Sequence, residues 1–405
     1  MKLAILIAAL LGCSPRHAAQ VAQPIASVSA DCAAGGDDTL AVQTAMGAGA
    51  CLAAGTYNVD APVLNAVGRR RDSMLTGTIL CGVQAGRTTI RFRGDAHALL
   101  WAGVTLTSGG FLHDITLDST CLTNTIEQSH LVRMVSATNH VAIRDAAFVH
   151  PPRTDGSRSG DCINVVGSMT APNVGLEIDH NTFAACKRIG VQLTRGASDV
   201  VIADNQFTAC GSDIGSEGSG ALANIVIRHN VFSAGADPHG YSLELERMTG
   251  VIVDHNVITG RPVLLYVVDD AALTGNIIAN RVMTSSAIRI GDIAHRVHMT
   301  NNTVSQPTGS LLPGITISPL GANRQADLAD FTVESCSLEQ GGAQGFASLA
   351  GVGGFALTRS SLTFTGPASP APSSVVATAS GGTPPAISVL TTGVVETDNI
   401  HIGFP

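Results

Sequence analysis

One frame recurs through the chain and constrains what it can fold into. "LEIDHNTF" at residues 176–183 is followed by "VVIADNQF", "IVIRHNVF", "VIVDHNVI", "AALTGNII" and "VHMTNNTV". Each copy alternates apolar residues, as a half-buried strand does, and then places an asparagine where the run ends. Aligned, the asparagines are Asn181, Asn205, Asn230, Asn256, Asn276 and Asn302, at steps of 24, 25, 26, 20 and 26 residues. Weaker copies put Ala146, Cys336 and Ser360 at the same place. Self-similarity at this period marks a solenoid. The units carry short strands rich in Val, Ile and Leu, broken by Gly, Asn and Asp, and none carries a long helical stripe. The leucine spacing of leucine-rich repeats is absent. A parallel β-coil with three short strands per turn fits, its turns stacked ~4.8 Å apart.

An asparagine at a sharp turn tolerates the left-handed conformation and bonds its own backbone. Stacked in register, its amide pairs with the amides above and below, which makes a buried polar group tolerable. Six repeats of one residue type are therefore predicted to be a structural ladder and not a catalytic group.

The N-terminal region adds a second signature. "DDTLAVQTAM" at residues 37–46 is followed by "LAAGTYNV" at 52–59. Together with the repeat, it resembles the pectate-lyase-like superfamily of right-handed parallel β-helices. The resemblance covers roughly residues 33–365. It implies an all-β solenoid whose open end is capped by a helix that leads into the first strand. Relatives usually carry Pro where Ala53 stands. The expected organisation is a targeting segment at 1–12, a linker at 13–32, the cap and first strand at 33–65, and the coil at 66–365. Residues 366–405 are expected as a C-terminal loop and cap, because "GPASPAPSSVVATASGGTPPA" is rich in Pro, Ser, Ala and Gly. Within it, "VETDNIHIGF" reads as a last strand. This fold hosts lyases, hydrolases, epimerases, tailspikes and adhesins, so activity has to be argued from a site.

Net charge is −8 over 405 residues, which argues against a general nucleic-acid binder. Hydrophobic content is 45%, yet past the first dozen residues no uncharged apolar run is long enough to span a bilayer. The opening "MKLAILIAALLGCSPRHAAQ" has one basic residue, an apolar core and then small residues, and reads as a signal for export. "LLGC" resembles a bacterial lipobox, which implies cleavage before Cys13 and its lipidation. Ser14 after it points to the outer membrane; the alternative is an ordinary secretory peptide cut after Ala18 or Ala19. Export leaves eight cysteines, Cys32, Cys51, Cys81, Cys121, Cys162, Cys186, Cys210 and Cys336, in an oxidising compartment that permits disulfides. Eight allow 105 pairings, so the sequence assigns none. Cys186 and Cys210 each lie five residues past a ladder asparagine. They should stack in adjacent coils, as a disulfide or, the preferred reading, as two buried thiols.

Outward side chains of a β-coil form columns along its axis. The strand after each asparagine turn should present Asn164, Gln192, Glu244, Leu265, Arg289 and Thr316. Between Gln192 and Glu244 the frame is missing and "SDIGSEGSG", residues 212–220, stands instead. Small residues there would floor a cleft. Asp213, Glu217, Asp237, His239 and Glu244 are the candidate catalytic groups, because carboxylates and histidine move protons and acid–base work on a sugar needs two groups facing one cleft. Lys187, Arg188, Arg195, Gln192, Tyr241 and Arg289 are the candidate substrate contacts, the basic ones suited to a uronate carboxylate. Asp237-Pro238-His239 resembles the Asp-Pro-His-Glu motif of mannuronan C5-epimerases, where Asp and His take part in proton abstraction. Here Gly240 replaces the Glu, and the Tyr-Gly before the motif is missing. Pectin hydrolases carry Asp-Asp and Gly-His-Gly on neighbouring coils. Asp269-Asp270 has no such partner, and Gly160–Val165 offers one Asp where two are expected. His180, His229 and His255 precede ladder asparagines at similar positions; they form an outward column or, the preferred reading, are isolated turn residues, with no carboxylate frame that suggests a metal.

The sequence thus predicts an exported polysaccharide-active enzyme, a lyase or glycoside hydrolase working in an outward groove on an extended, acidic glycan. The alternatives are a non-catalytic envelope protein that binds glycan or a partner surface, a C5-epimerase-like protein, and a tailspike-like one. No metal or cofactor is expected, except calcium should the reaction be elimination. The partner is a polysaccharide, and the membrane is reached by the lipid alone. Replacing Cys13→Ser should move the protein from the membrane fraction to the soluble fraction, since the coil has no other apolar anchor. Continued sedimentation of the variant with membranes after detergent-free washing would contradict the lipobox reading.

Overall fold

In the computed structural model the described residues are 32–60, 74–96, 101–124, 128–149, 160–186, 188–217, 222–233, 240–310, 312–319, 327–341, 347–350, 352–364, 376–379 and 392–402. Cys13 lies outside them. They wind into a right-handed parallel β-helix with one short helix near the N-terminus. Two neighbouring coils illustrate the plan: strands Asp161–Val166, Asn173–Asp179 and Thr182–Ala184, then Ile189–Thr194, Ala197–Ala203 and Gln206–Thr208. Every strand pairing among the described residues is parallel, for example Val191 with Ile163, Val200 with Leu176, and Phe207 with Phe183, with register shifts near Thr78, Val267 and Phe92. Further along, the first two strands of a coil fuse into single bent strands, Leu243–Asp254, Val263–Thr274 and Ile288–Thr300.

The interior is filled by columns of like side chains. Phe148, Phe183, Phe207 and Phe232 stack with ring centroids 4.9, 4.5 and 4.9 Å apart. The column continues through Ile258, Ile278, Val304, Leu338 and Leu362. Each ring removes its faces from water against the rings of the coils above and below, so burial and rung spacing are satisfied together.

The asparagines form the ladder. Each backbone N–H and each side-chain Nδ2 donates to Oδ1 of the asparagine in the next coil at 2.9–3.0 Å, from Asn181 through to Asn302. Nδ2 also donates to a carbonyl of the preceding coil, as Asn205 does to Ile178. All six are buried. The weaker copies join in: Ala146 N–H donates to Asn181 Oδ1, and Cys336 N–H donates to Ser360 Oγ. Ser360 N–H in turn donates to Oδ1 of Asn399, a ladder member that the repeat frame did not reveal. The left-handed residue, however, is not the asparagine. It is the residue before it: His180, Asp204, His229, His255, Gly275, Asn301, Ser335, Arg359 and Asp398, with φ between 49° and 64°. That kink turns the next side chain inward, which is what buries the amide.

At the N-terminal end, helix Thr39–Ala48 covers the first coil. Val42 and Met46 are its buried residues. Gln43 bonds the edge strand as a missing strand would: its Nε2 donates to Thr76 O at 2.7 Å, and its Oε1 accepts from Thr76 N at 3.0 Å. An open sheet edge is thereby blocked. At the other end, strands Val376–Ala379, Thr392–Thr397 and Ile400–Ile402 pair in parallel with strands Ala347–Ala350, Val352–Thr358 and Ser361–Phe364.

Three disulfides join Cys32 to Cys121, Cys51 to Cys81 and Cys162 to Cys186. Cys186 and Cys210 do lie in adjacent coils, with Gly211 N–H donating to Cys186 O. Cys186, however, pairs with Cys162 in the coil before, and Cys210 is a buried thiol. The expectation of two thiols therefore holds for Cys210 alone. No helix among the described residues is long and apolar enough to cross a membrane.

Asn205→Ala should strip its neighbours of side-chain partners and cost roughly 1–3 kcal/mol. Asn205→Asp should cost more, since it sets a carboxylate oxygen against the Ile178 carbonyl and Asn230 Oδ1. Denaturant melts of both variants check the order, and activity per folded molecule should survive in Asn205→Ala.

Candidate functional site

The first strand of each coil presents its outward side chains in one column. Register fixes it as Arg133, Asn164, Gln192, Gly215, Glu244, Leu264, Arg289 and Thr316. Leu264, and not Leu265, holds the outward place. Leu265 faces the core, because the apolar frame there begins at Val263, one residue earlier than the Leu-Leu-Tyr reading supposed. The glycine-rich stretch departs further from expectation. Ser212–Glu217 is a regular strand, paired on one side with Ile189–Thr194 and on the other with the start of Leu243–Asp254. Gly215 is buried rather than the floor of an open cleft. A Cβ on it would stand 2.9 Å from Ile189 Cδ1 and 3.2 Å from Gln192 Oε1, so the glycine makes room for those side chains.

The predicted catalytic groups divide. Glu217 is exposed at the end of its strand, and Glu244 is half-buried in the next coil on the same face. Ser212 Oγ donates to Glu244 Oε2 at 3.3 Å. Asp213 goes the other way. It pairs across from Gly190, where a Cβ would strike the interior ring of Phe207 at 2.8 Å, and residues opposed in a parallel ladder share a face. Asp213 is thus an interior carboxyl and is removed from the outward group. Burial, opposed in part by the Arg261 guanidinium and Ser242, pushes its pKa up to about 7. Asp237, His239 and Lys187 fall outside the described residues. Arg188, Gln192 and Arg289 belong to this face, Gln192 fully buried in it and Arg289 two rungs beyond Glu244, and the backbone N–H of Tyr241 donates to Ser212 Oγ beside it. Arg195 sits at the exposed turn just past Thr194, the ladder partner of Glu217.

Sequence reasoning missed the polar group that organises the face. Asp161 is fully buried and holds Arg188 with both oxygens: Nε donates to Oδ1 at 2.8 Å and Nη2 to Oδ2 at 2.9 Å. Asn164 Nδ2 donates to Oδ2 at 2.8 Å, and His130 Nδ1 lies 3.1 Å from the same oxygen. Burial alone would raise Asp161, but His130 and Arg188 outweigh it and hold the carboxyl at about 2. The remaining guanidinium nitrogen, Nη1, lies 3.6 Å from Glu217 Oε2. The site therefore has an arginine clamped from behind, an exposed carboxylate against its outer edge, and Glu244 and Glu246 one coil on. The signal was available. Asp161 is the lone carboxylate of Gly160–Val165, and aligning the coils sets it against Ile189, next to Arg188.

The description of a right handed beta helix region fits residues 123–280 and 161–315. None of the curated proteins matches the chain. Solved structures with the same fold include the Azotobacter vinelandii mannuronan C-5 epimerase AlgE6 A-module, 15% identical with a TM-score of 0.67. The superposition covers 90% of this chain and 95% of that one. The AlgE4 A-module from the same organism is 13% identical at a TM-score of 0.57, covering 91% and 92%. The catalytic unit of the GH87 α-1,3-glucanase from Streptomyces thermodiastaticus is 15% identical at 0.50, covering 96% and 71%. At such identities the likeness is one of fold.

The interior carboxyl gives a signed pH dependence. A folded pKa raised from 3.8 to about 7 favours the folded state most below pH 4, and that advantage is lost as pH climbs to 7. Asp213→Asn removes the titration. The stability of the native chain minus that of Asp213→Asn should fall by on the order of 4 kcal/mol between pH 4 and pH 8. Urea melts across that range measure it, and a flat difference would place the carboxyl in a solvated setting.

Proposed function

We propose that the chain is a polysaccharide-active enzyme that works by acid–base chemistry on an acidic, uronate-containing glycan. The observation that carries this reading is Arg188, fixed by the buried Asp161 with its outer edge 3.6 Å from Glu217. A pre-oriented guanidinium is suited to a planar carboxylate and can accept the charge that builds up when the proton beside that carboxylate is removed. Glu217, Glu244 and Glu246 supply candidates for the base and the acid on neighbouring rungs. The column running on to Arg289 and Thr316 offers an extended track for further sugar units. The similarity to two mannuronan C-5 epimerase modules over nearly their whole length supports proton transfer at a uronate carbon, whether it ends in epimerisation or in elimination.

Hydrolysis is the second reading. It is favoured by the paired carboxylates of adjacent coils, which is the arrangement that glycoside cleavage uses. Calcium remains tied to elimination: the glutamates are hard oxygen donors of the kind it takes, and no step here depends on it. Export, with a lipid on Cys13, belongs to the same proposal, since a long glycan is met outside the cytoplasm.

A panel of uronate and neutral polysaccharides separates the outcomes. Absorbance near ~235 nm reports elimination, exchange of the C5 hydrogen with deuterated solvent reports epimerisation, and new reducing ends without absorbance report hydrolysis. Glu217→Gln keeps the shape and removes the charge. It should cut turnover about 100-fold or more while leaving the melting temperature nearly unchanged. Full activity in Glu217→Gln would remove that residue from the chemistry, and inertness of the native chain on every glycan would favour a non-catalytic binding role.

A further inference from the structure

The left-handed residue before each ladder asparagine places one outward side chain per coil at the turn between the second and third strands, away from the groove on the first. Along the middle of the coil this column reads Asp204, His229, His255 and Gly275. The two imidazoles sit on consecutive rungs with ring centroids 5.9 Å apart. Asp254, the last residue of its strand, brings Oδ1 to 2.7 Å from His255 Nδ1. One ligating atom each from His229, Asp254 and His255 lies within 4.8 Å of the others. Asp204 stands on the far side of His229, its Oδ1 3.7 Å from Nδ1. The next place in the column carries no side chain. A Cβ at Gly275 would stand 2.8 Å from His255 Nε2, so the glycine leaves that nitrogen accessible.

We propose that His229, Asp254 and His255 form a surface site for a divalent transition-metal ion of the zinc class. Two imidazoles and a carboxylate are a ligand set that zinc takes, with bonds of about 2.0–2.2 Å and a fourth position left to water or an incoming group. Tetrahedral bonds of that length space the ligand atoms about 3.3 Å apart. Closing from 4.8 Å needs only side-chain rotation, and His229 and His255 are 49% and 60% exposed, which leaves them room for it. Asp204 behind His229 is placed to orient the ring, as outer carboxylates do for metal-bound histidines. The ion would staple successive coils on the outside of the turn whose inside is held by the asparagine ladder. Of the two sequence readings of these histidines, the outward column describes His229 and His255. They stack on successive rungs, because the coil period returns the same turn position every ~4.8 Å.

The test uses untagged protein, stripped with chelator and titrated with zinc chloride by calorimetry. The native chain should bind zinc saturably at one ion per molecule, and zinc should raise its melting temperature by mass action. Asparagine tolerates the left-handed conformation, so His229→Asn and His255→Asn keep the turn. Each should weaken zinc binding at least about 10-fold and abolish the thermal shift, while circular dichroism without zinc matches the native chain. Asp254→Asn provides a third variant that does not touch a left-handed residue. His180→Asn, in the same column but outside the cluster, should leave binding intact. The proposal is overturned if the native chain shows no saturable binding, or if the cluster variants bind zinc as the native chain does.

Discussion

A buried primary amide that gives two hydrogen bonds and takes two is the interaction on which the structure depends. In each coil, Asn Oδ1 accepts from the backbone and the side chain of the asparagine before it, while Nδ2 reaches both the next amide and a carbonyl behind. One side chain therefore ties three coils together. Aspartate lacks the donors, serine reaches only part of the way, and alanine leaves partners unpaired inside an apolar core, where each orphan is expensive. This explains why the ladder weakens through Cys336 and Ser360 near the C-terminal end and recovers at Asn399. It also frees the outward positions. With register fixed from within, a coil can carry any polar residue on its outer face without loosening the stack.

The fold was legible because its signal repeats. Each copy of the frame carries the apolar alternation and the asparagine, so errors in one copy are corrected by the others. The left-handed residue was misplaced by one position because either Asn or its predecessor (His, Asp, Gly or Asn) tolerates that conformation in isolation. Only the burial of the amide decides between them. The site was less legible because it is written in residues that do not repeat. Asp161, Arg188 and His130 come from three coils, and nothing local to any one of them announces the others.

Two aspartates show what the missing information was. Asp161 and Asp213 are equally buried, two rungs apart in the stack of first strands, yet one is held at about 2 and the other pushed to about 7. Asp161 turns outward to the Arg188 fork and His130. Asp213 turns inward, where Ser242 and Arg261 only partly offset its burial and Arg261 spends its Nη1 on the Cys210 and Gly211 carbonyls. Strict alternation would set Asp213 outward, next to the inward Ile214. At this corner of the coil two consecutive residues, Asp213 and Ile214, both face the core. A period-two pattern over "SDIGSEGSG" does not contain that break, so Asp213 reads as outward in the sequence and stands inward in the coil.

The same stacking that defeats local reading makes outward columns predictable once register is known. A coil returns each position at a spacing close to the contact distance of side chains, so any chemistry that needs two or three groups together can be assembled by choosing residues one coil apart. Arg188 and Glu217 come from adjacent coils but not from equivalent positions, so the long arginine side chain makes their contact, whereas Asp269, His295 and Asp327 meet by stacking across three coils, with His295 Nδ1 3.1 Å from one carboxylate and Nε2 2.9 Å from the other. Those two aspartates raise the imidazole's affinity for its proton, Asp327 most, so the trio behaves as a small ion-pair column and not as an open site. The groove differs in kind. There the cation is pinned from behind by a buried partner and faces an exposed carboxylate in front.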